Sequence, residues 1–120
     1  MDHIPVLIKE VLAYLDPKPD ENVIDCTVGN GGHANLILEK TSPFGKLLGI
    51  DADAAQITNA RRATQKYNER IILVNDSYVH LQEIAERARF KPIHGILLDL
   101  GYSSWHMEQS GKGFSFLKSC

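Results

Sequence analysis

The chain has 120 residues, enough for one domain that buries roughly two-thirds of its unfolded surface. With 43% apolar and 23% charged residues its composition is that of an ordinary globular protein, and a net charge of −2 excludes an overall electrostatic pull on nucleic acid. Cys26 and Cys120, the two cysteines, fit no metal motif and point to a reducing compartment. The N-terminus lacks a basic stretch followed by a long apolar one, and no apolar run is long enough to span a bilayer, so a cytoplasmic protein without membrane contact is expected.

In chain order, Val6, Leu7, Val11, Leu12 and Leu15 recur at helical spacing behind Pro5, which predicts an amphipathic helix over 5–15. Residues 22–27 read as a first strand that runs into a glycine-rich turn, and a helix follows over 32–40 with Leu36 and Ile37 inward. A second strand covers 46–51, and Asp53 caps a helix that reaches about Tyr67. Residues 70–75 form a third strand. Ser77 opens a helix whose inner face carries Leu81, Ile84, Ala85 and Ala88, and Pro92 ends it. A fourth strand covers 94–100, and the Gly- and Ser-rich remainder reads as loop. The domain plan is therefore an N-terminal helix and linker (1–21), an alternating β/α core (22–100) and a loop (101–120).

Strands alternating with helices imply a parallel sheet covered on both faces. Right-handed crossovers place the first strand beside the fourth, where chain order reverses and ligands bind beyond the carboxyl ends of the strands. Asp25, Asp51, Asn75 and Asp99 all fall at those ends. Four polar residues in register describe a site, because an apolar sheet gains nothing by ending each strand with one.

The loop Gly29-Asn30-Gly31-Gly32-His33-Ala34 satisfies G-x-G-x-x-(G/A), a pattern that brings backbone amides at a helix N-terminus close to a ligand. Asp51 lies at the spacing suited to ribose hydroxyls, so both NAD and S-adenosylmethionine fit. Three features favour the methyl donor. Asp25 precedes the loop in D-x-T-x-G-x-G, where a carboxylate suits a sulfonium and an ammonium better than a pyrophosphate. Asn75-Asp76-Ser77-Tyr78 supplies polar groups and an aromatic to cover adenine, and Asp99 to Ser104 forms a substrate-side loop.

The motifs His3-Ile4-Pro5-Val6-Leu7, Asp25 to His33, Gly49 to Asp53, Gly95 to Gly101 with Ser103-Ser104, and Gly113-Phe114-Ser115-Phe116 occur in this order over nearly the whole chain. In them the chain resembles the N-terminal part of the bacterial 16S ribosomal RNA cytosine-N4 methyltransferase family. The resemblance implies a Rossmann-like class I fold, of which this chain holds the first four parallel strands, and S-adenosyl-L-methionine as cofactor. It implies donor contacts from Gly31, Gly32 and His33 at the methionine end, Asp51 on the ribose, Tyr78 beside the adenine, and Asp99 and His106 near the reacting centre. The family more often has Gln at position 106 and Pro before it, where this chain has Trp105. The partner implied is 16S rRNA or the small ribosomal subunit, and Asp99 is the catalytic candidate. The base would be taken out of its stack, against Tyr102 or Trp105.

Duller roles compete. His3, His80 and His94 show no metal-ligand spacing and read as structural, and Arg61, Arg62, Lys66 and Arg70 read as the solvated face of a helix. The ending, Leu117 to Cys120, leaves the family pattern, so a truncated chain is expected that binds the donor without turning over RNA alone. Its fourth strand would then expose an apolar edge and self-associate. An NAD-binding half-domain and an inert fragment are the alternatives.

Overall fold

The computed structural model describes residues 15–29, 32–99, 104–110 and 113–119, and from Asp99 onward the backbone only. The helix expected over 5–15 lies outside the described residues apart from Leu15, which is buried. The sheet contains β1 (Val23–Asp25), β2 (Leu47–Asp51), β3 (Ile71–Asn75), β4 (Gly95–Asp99), β5 (Ser104–Ser110) and β6 (Gly113–Ser119), in the order β3-β2-β1-β4-β5-β6. The first four are parallel, and β1 lies between β2 and β4 as the alternating pattern requires.

Strand side chains alternate between two apolar clusters. Val23, Leu47 and Leu97 face one cluster with α1 (His33–Lys40) and α2 (Ala54–Ala63). Ile24, Leu48, Ile50, Ile96 and Leu98 face the other, with Phe90 and α3 (Leu81–Arg87). Both faces are buried, which is why these strands read as continuous apolar runs. Val23, Ile24, Leu47, Leu48, Ile50 and Leu97 have at most 1% of their surface exposed.

The helix ends have local causes. Asp53 caps α2 by accepting from the Ala55 amide at 2.8 Å, as predicted, but the helix stops at Ala63 and a 3-10 turn covers Gln65–Tyr67. Ser77 caps a 3-10 turn, Tyr78–His80, that leads into α3. That helix ends before Pro92 can act. Arg89 takes a left-handed φ of 53°, its amide donates to Glu86, and the Phe90 amide donates to Ala85 while the ring packs into the same cluster as Ala85. This is a Schellman cap with its apolar contact.

Two expectations fail after β4. The segment read as loop contains the β5–β6 hairpin, and β5 pairs antiparallel with β4 along Gly95–Asp99. The outer edge of β4 is therefore covered, and self-association through it is not what this fold offers. The signal was present: Trp105 and Met107, then Phe114 and Phe116, alternate with polar residues on either side of the two-residue Gly111-Lys112 connection. Gly and Ser masked it.

Arg70 is not on a solvated helix face either. It precedes β3, and its guanidinium donates to the carbonyls of Gly45 (2.9 Å) and Leu38 and to the Ser42 hydroxyl (3.0 Å). It thus occupies the Leu38 carbonyl in the last turn of α1 and ties it to the turn that follows. Arg61 and Arg62 do lie exposed on α2.

Two measurements test this packing. Arg70→Ala should lower stability in urea denaturation by about 1–3 kcal/mol, and Arg70→Lys should recover little, because a point charge cannot fork to three acceptors. Cys26 is buried, and desolvation foremost, with the Asp25 charge second, pushes its thiol up to about 12. Peptide mapping should find Cys26 unalkylated by iodoacetamide at neutral pH until denaturant is added.

Candidate functional site

The carboxyl ends of β1, β2, β3 and β4, at one rim of the sheet, are Asp25, Asp51, Asn75 and Asp99. Asp51 and Asn75 pair with each other, whereas Asp25 pairs with Gly49 and Leu97, two residues short of Asp51 and Asp99, so the four do not all lie in the one row that was expected. Asp51 is the best fixed. It is 7% exposed, its Oδ2 accepts from the Gly29 amide at 3.1 Å and its Oδ1 from the Asp53 amide at 2.9 Å. The first bond ties the glycine loop to the end of β2. The second orders the turn into α2. Two amides satisfy the charge without neutralising it, and each oxygen keeps a second lone pair for a hydroxyl donor.

Asn75 supports the same corner. Its Nδ2 donates to the carbonyls of Asp51 and Ala52, both at 3.0 Å, and the Asp76 amide donates to Asp51 O at 3.1 Å. Asn75 therefore holds the end of β2 in place, a role its sequence position did not distinguish from ligand contact.

The loop packs tightly. A Cβ on Gly29 would stand 2.2 Å from the Gln56 Cβ, so only glycine lets the loop lie against α2. Gly32 is the N-cap of α1 at φ 71°, a left-handed conformation that favours glycine, and it is exposed. Gly31 lies outside the described residues. His33, the first residue of α1, is wholly buried, with Nδ1 3.8 Å from Asp25 Oδ2, and Asp25 is buried equally. Asp25 also accepts from the Thr27 amide at 3.0 Å. Asp25 has no exposed surface, so its carboxylate stands near the loop, as the D-x-T-x-G-x-G spacing places it, without facing solvent.

Tyr78 is 44% exposed on the turn directly after β3, on the same rim. Its turn is braced by Asp76, whose Oδ1 accepts from the Ser77 amide at 2.6 Å and pairs with His80 Nδ1 at 2.8 Å. The hydrogen bond with Asp76 is the main cause that raises His80 above its usual value, and the same bond is the main cause that lowers Asp76. His94 is structural: its Nδ1 accepts from the Asn22 amide at 2.9 Å.

Asp99 ends β4 opposite Ser104, whereas His106 pairs with Leu97, two positions back from the rim and within β5. The structure therefore gathers Gly32, Asp51, Tyr78 and the Asp99 backbone at one end of the sheet and sets His106 further down a strand. Tyr102 lies outside the described residues, and Trp105 pairs with Leu98. A separate cavity of about 650 Å3 runs beside α3, lined by Ile24, Val79, Leu81, Ala85, Phe90 and Ile96 among others; none of the strand-end polar residues lines it. Among the described residues no cluster of His, Cys, Asp and Glu could hold a metal, and no helix is long and apolar enough to cross a membrane.

Known proteins resemble this chain in sequence or in fold. The ribosomal RNA small subunit methyltransferase H of Dehalococcoides mccartyi (strain BAV1) is 43% identical over 114 residues, 95% of this chain and 33% of that protein. The protein of the same name from Dictyoglomus thermophilum is 42% identical over 116 residues, 97% of this chain and 39% of its own length. The chain thus spans about a third of the curated relatives it matches. A solved protein-L-isoaspartate O-methyltransferase superposes with a TM-score of 0.68 over 97% of this chain and 45% of its own, at 11% identity, a likeness of fold alone. This is the Rossmann-like class I methyltransferase fold, and the cofactor it indicates together with the family is S-adenosyl-L-methionine. The MraW methylase family matches residues 1–120 throughout, and the chain belongs to it.

Proposed function

We propose that this chain forms the donor-binding part of an enzyme that methylates the exocyclic N4 amine of a cytidine in 16S rRNA, on the RNA or the small subunit. The observation that carries the reading is Asp51: a nearly buried carboxylate at the end of β2, held by the loop amide of Gly29, with lone pairs left for a ribose diol. Family membership and the names of the curated relatives support the substrate class. Gly31, Gly32 and His33 would hold the methionine end, Asp51 the ribose and Tyr78 the adenine.

S-adenosyl-L-methionine, when bound, supplies an electrophilic methyl group on a sulfonium. The residues around it must do three things. The N4 lone pair is delocalised into the cytosine ring, so loop and strand ends have to hold the amine in line with the methyl group. Charge that grows on nitrogen needs a nearby anion, the role we assign to Asp99. Asp51 adds negative charge at the rim, with Asp25 buried behind it, which favours a cationic donor over a pyrophosphate. His106, which pairs with Leu97, would serve as a neighbour to the donor rather than as a second catalytic group.

Calorimetry should show S-adenosylhomocysteine binding and no heat from NAD; the reverse would overturn the reading. Asp51→Ala should weaken that binding by roughly ten- to a hundredfold, the effect of losing hydrogen bonds to a charged acceptor, and unchanged affinity would remove Asp51 from the ribose. Tritium transfer from labelled donor to 16S rRNA tests the substrate.

The brace under Tyr78 predicts a pH window. His80 is raised, so its contribution is complete below the unfolded value of 6.5 and is lost as pH rises through the folded value. Asp76 is lowered, so its share is complete above 3.8 and is lost as pH falls through its folded value. An NMR titration of His80 should therefore give a midpoint above 6.5, and Asp76→Asn should return it to the ordinary range.

A further inference from the structure

His33 poses the hardest question in the fold. Its imidazole is wholly buried, and neither ring nitrogen has a hydrogen-bond partner among the described residues. Folds rarely leave such atoms without a compensating arrangement. The neighbour at hand is Asp25, whose Oδ2 lies 3.8 Å from Nδ1 and whose Oδ1 is committed to the Thr27 amide. That gap is about 1 Å longer than a charge-assisted hydrogen bond and within reach of an ion pair. An acceptor beside one ring nitrogen decides which nitrogen carries the proton, and so how the ring is set.

We propose that Asp25 is a positioning residue that acts through His33: it keeps the imidazole proton on Nδ1 and thereby sets the ring that anchors the glycine loop at the start of α1. The inference deepens the donor-site reading and rests on it for its consequence. Asp25 does not touch the donor. It fixes the loop whose amides, from Gly32 onward, would meet the donor's amino-acid end.

Nitrogen-15 NMR of the histidine side chains at about pH 8.5, where imidazoles are ordinarily neutral, reads the tautomer directly. The wild-type His33 ring should be protonated on Nδ1. In Asp25→Asn the retained Oδ1 stays with the Thr27 amide, which turns the new Nδ2 donor toward the ring. A donor there demands an acceptor at Nδ1, so the proton should move to Nε2. Affinity for S-adenosylhomocysteine should fall roughly tenfold, the cost of a loop set slightly out of place. His33→Asn should lose about as much, and adding Asp25→Asn to it should cost little more.

A wild-type ring protonated on Nε2, a tautomer unmoved by Asp25→Asn, or fully additive losses would each overturn the proposal. Should Asp25→Asn fail to fold, the wild-type spectrum alone decides. Should the wild type bind no S-adenosylhomocysteine, the donor-site reading fails, while the spectrum still judges the pairing of Asp25 with His33.

Discussion

The hydrogen bond from the Gly29 amide to Asp51 Oδ2 is the contact on which the site depends. It joins the loop after β1 to the end of β2, and it forms only because Gly29 lets the backbone lie against Gln56 of α2. Any larger residue would push the loop out and leave the Asp51 oxygen, 7% exposed, without that donor. An uncompensated buried carboxylate is costly, so loop position and carboxylate position are one constraint. Asn75 extends it to β3 by holding the carbonyls of Asp51 and Ala52.

The two acidic residues nearest the loop are handled in different ways. Asp51 is balanced by backbone amides, which are dipoles and keep its charge available to a ligand. Asp25 accepts from the Thr27 amide and lies beside the imidazole of His33. A cationic ligand at this rim therefore meets one fixed charge in Asp51, and behind it a carboxylate shielded by protein. The D-x-T-x-G-x-G motif shows that a carboxylate is near the loop, but not that it is buried.

Much of the core was legible because burial on both faces leaves continuous apolar runs. Ile96, Leu97 and Leu98 in a row could only be a central strand, and the structure places them beside β1. Asp53 was legible as a cap because short polar acceptors before a helical pattern have one common use. Contacts between residues distant in sequence were not legible. Arg70 looked like one more cation near Arg61 and Arg62, and only the fold brings it to the end of α1. The hairpin after β4 was misread because Gly and Ser weighed more than the alternation of Trp105, Met107, Phe114 and Phe116. Edge strands carry weaker apolar signals than central ones, so composition misleads most at the margin of a sheet.

That hairpin changes how the rim should be understood. With β5 paired to β4, Asp99 ends a strand whose ladder with β1 stops at Leu97, and its own backbone is held by β5 opposite Ser104. The opposite wall is built differently. Tyr78 sits 44% exposed on a short turn held by Asp76, His80 and Ser77, after β3, the edge strand among the described residues. Strand-borne groups are positioned by many cooperative backbone bonds, and turn-borne groups by a few side-chain bonds that are easily exchanged with water. The rim is thus rigid at Asp51 and at the Asp99 backbone, and adaptable at Tyr78. A site that must hold a reacting group in line while admitting and releasing a flat ring needs that division of labour.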